Sequence, residues 1–191
     1  MQHCQDYRNS LRLTEEDKMV NILTGFEKIN EIINCCITQE ITTGGLLEDV
    51  ETFINTYYSE GQVEEPVVWI TQHPTTVTRN ADISGTLELK TPFEFDCGVY
   101  ETDLEDANIS SQNLCNRVIL SILKNWQRVQ AEKLPGQRMI RNITLDRYSP
   151  MGYVNVTGKS DKVPVTGVIL NVNHIINWQL CCQQLNQNNG D

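Results

Sequence analysis

The 191-residue sequence predicts an α+β fold, a mixed or antiparallel β-sheet packed by helices, in the order α-α-β-β-α-β-β. Three observations predict it. Apolar residues recur at helical spacing in the first third of the chain and again from 102 to 129. Between and after these stretches the apolar period becomes two, or collapses to short unbroken runs. No internal repeat and no biased linker divides the elements. A chain of this length buries roughly 70% of its unfolded surface, enough for a core without staples. One domain over 1–191 therefore suffices, with a helical part over 1–62, a β-β-α-β-β core over 63–180 and a polar tail over 181–191.

The first helix opens at Thr14, a candidate N-cap followed by acids, and sets Met19, Ile22, Leu23, Phe26, Ile29 and Ile33 on one stripe. A second helix is predicted after the Gly44-Gly45 break, because Leu46/Leu47, Val50, Phe53/Ile54 and Tyr57 keep helical spacing. "EPVVWI" then offers Val67 to Ile70, an apolar run too short for a helix and rich in β-formers. After a polar connection from His73 to Ser84, "GTLELKTPFEFDCGVY" alternates, with Leu87, Leu89, Phe93, Phe95, Cys97 and Val99 on one face. Pro92 has no N–H to donate, so it predicts an edge, a bulge or a bend there.

"ETDLEDANISSQNLCNRVILSILKNWQRV" restores the helical period. Thr102 and Glu105 stand at capping-box spacing, and Leu114, Cys115, Val118, Ile122 and Trp126 form the stripe. "KLPGQ" stops it. Two strands close the chain, "RNITLDRY" and "VPVTGVILNVNHIINW", the second with Val168, Leu170, Val172, Ile176 and Trp178 on one face.

Charge divides unevenly along this order. Residues 1–110 hold 6 Lys/Arg and 21 Asp/Glu, and residues 111–191 hold 9 and 4, so segments of −15 and +5 make up the formal net charge of −10. Such an acidic chain repels a phosphate backbone, which disfavours tight nucleic-acid binding. No apolar run approaches the roughly 20 residues that span a bilayer, so no membrane partner is expected. The start "MQHCQDYRNS" lacks the apolar block of a secretory signal, which predicts synthesis in the cytosol. The seven cysteines, two adjacent pairs among them, lack zinc-site spacing and read as thiols.

"NVTGKSDK" contains the Gly-Lys-Ser of a phosphate-binding loop. Five residues rather than four separate Gly152 from Gly158, and a strand rather than a helix follows Ser160, so the stretch reads as a polar hairpin turn and no nucleotide is expected. A nucleophilic pair of Cys97 and His73 is compatible with the order of elements, as is a hard cation on Asp96, Glu101, Asp103, Glu105 and Asp106. Acids at a helix start need no metal, because the helix dipole favours them. The reading preferred on these grounds has no catalytic residue, no cofactor and no metal.

The order of elements carries more. A helical start, "EPVVWI", a long alternating strand reaching "FEFDCGVYETD", the helix "NLCNRVILSILKN" and closing strands ending in "VILNVNHIINW" resemble the tail terminator, or tail completion, proteins of long-tailed phages and related viruses, over roughly residues 40–180. The resemblance implies a non-catalytic virion protein, assembled in the host cytoplasm and resident at the head–tail junction. It implies a ring, usually a hexamer, that caps the tail tube and docks the head connector while DNA passes the lumen unbound. On that reading the polar connection 72–85, with Arg79 and Asp82, and the hairpin with Lys159, Asp161 and Lys162 are the expected contacts. The long acidic N-terminal part departs from the pattern. A head-closure adaptor is the neighbouring alternative, and a small Cys/His or metal-dependent enzyme the distant one.

Overall fold

The computed structural model describes residues 25–54, 66–79, 86–99, 101, 103–134, 138–155 and 162–177. They form helix α1 (Gly25–Thr38), strands β1 (Thr52–Ile54), β2 (Val67–Gln72), β3 (Thr76–Arg79) and β4 (Thr86–Gly98), helix α2 (Leu104–Lys133), and strands β5 (Ile140–Asn155) and β6 (Lys162–Asn177). One mixed sheet runs β1-β2-β4-β6-β5, with β3 joined to β4. Among the described residues only the β1–β2 pair is parallel. The α+β expectation holds, and so does the sheet packed by helices.

Strand alternation decides which side chains meet the helices. Leu89, Thr91, Phe93, Phe95 and Cys97 of β4 are buried, with Val68 and Ile70 of β2 and Val168, Leu170 and Val172 of β6. Against them α2 lays Leu114, Cys115, Val118 and Ile122, and α1 lays Ile29, Ile32, Ile33 and Ile37. Each side chain of this size contributes roughly 1.5–3 kcal/mol by leaving water, so this single layer of contacts carries the fold. On the opposite face a smaller apolar cluster joins Val67 and Trp69 to Val163 and Val165. The stripe read from α2 is the buried one, with Trp126 packed at its margin. Thr14 and Met19 lie outside the described residues.

Four details differ from the sequence reading. The predicted second helix is absent over 46–54: the chain turns through 39–49 and enters β1. Gly44 adopts a φ of +81°, and a Cβ on Gly45 would stand 2.2 Å from the Glu40 carbonyl oxygen, so both glycines serve a turn that presses its backbone on Glu40. Leu47 and Val50 are buried all the same, because successive turns deliver a three-residue apolar spacing as a helix does. The connection 72–85 also contains a strand, β3, whose Thr76, Val77 and Arg79 pair with Lys90, Leu89 and Glu88.

The third concerns Pro92, whose expected edge is only local, because β4 otherwise lies inside the sheet. β2 pairs with residues 93–98 of β4 and β3 with 88–90, so the two short strands share one side of β4 and leave a seam opposite Pro92. The His73 N–H donates to the Pro92 carbonyl at 2.9 Å, which shows that the proline nitrogen also faces this seam. No ladder bond is lost there. The fourth concerns α2, whose N-cap is Asp103 rather than Thr102; its carboxylate accepts from the Glu105 N–H at 2.8 Å and the Asp106 N–H at 3.3 Å.

Candidate functional site

Two of the five contact residues expected from sequence fall on described backbone. Arg79 ends β3 opposite Glu88, which in turn pairs with Ile175 of β6, whereas Lys162 begins β6 opposite Asn155. Thirteen residues of extended chain separate these levels, about 40 Å at 3.3 Å per residue. The two stretches therefore stand at opposite ends of the sheet and do not form one site. Asp82, Lys159 and Asp161 lie outside the described residues. The Gly-Lys-Ser triplet falls between Asn155 and Lys162, in the connection of two antiparallel strands, where no helix N-terminus follows to hold phosphate.

The Cys97–His73 pair is not formed. Cys97 lies five residues beyond Pro92, about 17 Å along β4 from the carbonyl that receives the His73 N–H, and it points to the helix side. Burial first, then the hydrogen bond its own thiol donates to Cys115, pushes Cys97 well above the ordinary range. The Cys115 thiol donates to the Thr166 carbonyl at 3.0 Å. Cys36 is raised as well, by burial and then by Cys35. These four cysteines are buried thiols, none in a disulfide.

His73 instead meets Glu94, Nε2 to Oε2 at 2.7 Å, on the face away from the helices. Below it, on the helix side, the Thr75 hydroxyl lies 2.6 Å from that of Thr91, which lies 2.9 Å from His174 Nε2. The seam between β2 and β3 is thus bound on both faces. Burial lowers the His174 pKa from 6.5 to about 4, so its ring is neutral near pH 7. The acids at the start of α2 divide their roles: Asp103 caps the helix, and Glu101 accepts from Ser110 at 3.4 Å. Among the described residues no three His, Cys, Asp or Glu side chains converge to hold a metal ion.

One surface was not read from the sequence. α2 packs on β6 and β4 but hardly on β5, so Leu145 and Tyr148 on the helix side of β5 remain 49% and 44% exposed. Leu120 and Leu123 of α2 are also exposed. The Tyr148 hydroxyl donates to Asn116 Oδ1 at 2.7 Å and holds the strand to the helix across a shallow groove lined by Gln112, Ser149 and Pro150. The signal was present: Leu120 and Leu123 are apolar yet lie off the stripe of Leu114, Val118 and Ile122. Among the described residues no helix is long and apolar enough to cross a membrane. No protein-family model matches the chain, and no curated protein matches it in sequence.

Proposed function

We propose that the chain is a structural protein of a virion, a tail terminator that assembles as a ring, caps the tail tube and joins it to the head connector. The observation that carries this reading is the pair of long strands, β4 and β6, that separate two polar connections by the length of the sheet. A protein that stands between two partners needs distinct contacts on opposite ends. The connection 72–85, with Arg79 and Asp82, serves one end and the β5–β6 hairpin, with Lys159, Asp161 and Lys162, the other. Element order, helices on one face of a single sheet and an acidic balance that lets DNA slide without sticking support the same role.

The ring is a set of identical copies, six in the simplest case, and the role requires no covalent chemistry. The test is reconstitution with tube protein. Tubes polymerised with the chain present are expected to stop growing and to carry a ring at one end in negative-stain images. Lys159→Glu with Lys162→Glu should weaken that capping while the unfolding midpoint stays unchanged. Tubes that elongate unchecked at saturating concentrations of the wild-type chain would overturn the reading.

A further inference from the structure

The two edges of the sheet carry opposite charge. Beside β1 stand the exposed acids Glu48, Asp49 and Glu51. Along β5 stand Arg138, just before the strand, and Arg141 and Arg147 within it, against one acid, Asp146. Asp49 is already held by Arg117 at 2.9 Å, and Arg141 reaches Glu88 at 3.2 Å. Arg138, Arg147 and Glu51 make no ion pair among the described residues.

Charged side chains on an edge strand have an ordinary use, to keep other strands away. That use explains Arg141 and Arg147. It does not explain Leu145 and Tyr148, half-exposed between and beside them on the helix side of the strand, or the exposed Leu120 and Leu123 of α2. An apolar strip at a sheet edge that also carries the unpaired Arg138 and Arg147 has the composition of a protein docking surface. Pro150 and the register shifts at Leu145/Arg147 and Ser149/Gly152 make the outer half of β5 a poor template for a new strand. Its contacts are therefore made through side chains.

We propose that the β5 edge, with the flank of α2 beside it, docks the β1 edge of a second copy of this chain. This deepens the ring reading and rests on it. Two β5 edges facing each other would oppose arginine to arginine, a juxtaposition that costs association energy. The complementary partner is the acidic edge on the far side of the same sheet. Because donor and acceptor edges lie on opposite sides, each docked copy leaves one edge of each kind open, and the contact propagates until it closes. Polyanionic nucleic acid also fits a basic strip, but three arginines countered by Asp146 on a chain of net charge −10 hold it weakly.

The experiment is charge reversal on each edge of the full chain, read by light scattering coupled to size exclusion with and without tube protein. Arg138→Glu with Arg147→Glu should weaken the multimer by at least about tenfold, and so should Glu48→Arg with Glu51→Arg. If the latter pair lowers the unfolding midpoint, Glu51→Arg alone replaces it. A chain carrying all the reversals has complementary edges again and should reassemble. Recovery distinguishes edge pairing from general damage. A multimer indifferent to both reversals, or one the combined chain fails to recover, overturns the edge assignment and leaves the ring reading intact. A wild-type chain that stays monomeric under both conditions overturns both. Reversals that abolish retention of duplex DNA but leave the multimer unchanged assign the basic edge to nucleic acid instead. A multimer that obeys these edges yet fails to cap tubes removes only the terminator role.

Discussion

His174 lies on β6 with Nε2 2.9 Å from the Thr91 hydroxyl, and burial holds its pKa at about 4. The unfolded chain, with an ordinary value near 6.5, takes up the proton first as pH falls. The folded state is therefore at full advantage above that value and loses it through the range from about 6.5 down to about 4. Near pH 5 the loss is about 2 kcal/mol, growing to about 3 kcal/mol as the folded-state value is reached. Urea unfolding at pH 7.5, 6 and 5 should show this decline, and His174→Gln, which keeps a partner for Thr91, should flatten it. Glu40 follows the same direction in a lower window. Burial pushes its carboxyl up, but hydrogen bonds from the Leu46 N–H, Asn125 and Lys124 outweigh that push and leave it below the ordinary range. Glu40→Ala removes the acceptor of the Leu46 N–H and of one of the two Asn125 amide hydrogens, the other staying on the Ser121 carbonyl, and should cost about 2–4 kcal/mol in denaturant unfolding, with Glu40→Gln costing less. The place of His174 on an apolar face was legible from alternation alone. Glu40 was not, because its partners on α2 lie 84 and 85 residues away and such a bond leaves no spacing pattern.

The stretch from Gln39 to Ile54 shows where periodicity misleads. Leu47, Val50 and Phe53 keep a three-residue spacing, yet the backbone bonds run Gly45 N–H to Thr42 and Val50 N–H to Leu47, two separate turns, with the Leu47 N–H reaching back seven residues to Glu40. The Gly-Gly pair holds the correct information, since it forms the turn itself and not a break between helices. Its weight is measurable. Gly45→Ala drives a methyl into the Glu40 carbonyl and should cost about 3 kcal/mol, whereas Gly44→Ala, with open space around its Cβ but a left-handed backbone, should cost about 1 kcal/mol. Equal losses in paired denaturation curves would contradict this account of the turn. β4, α2 and β6 were legible because each is long and keeps one period throughout. β3 and β1 were not, since strands of four and three residues contain too few alternations to rise above a polar connection or a helical spacing.

Folding redistributes the charge that the sequence displayed as two halves. The acids near residue 50 and the arginines from 138 to 147 become opposite edges of one sheet, although β5 and β1 are far apart in the chain. The division was legible; the edges were not, because strand order decides them. In the proposed docking of copies, two electrostatic effects compete. The net charge of −10 makes whole molecules repel across centres about 40 Å apart, while edge charges that meet in the contact attract over a few ångströms. Raising salt from 0.01 M to 0.1 M shortens the screening length from about 30 Å to about 10 Å, which removes the long-range repulsion and spares the contact. Toward 1 M the length falls to about 3 Å, and the edge attraction weakens as well. Self-association measured by sedimentation velocity across a sodium chloride series should therefore rise, pass a maximum near about 0.1–0.2 M and fall. A contact made of Leu145, Tyr148 and Leu123 alone would gain or hold strength up to the highest salt, so a curve without a descending limb would remove the charged rim from the interface and leave only its apolar strip.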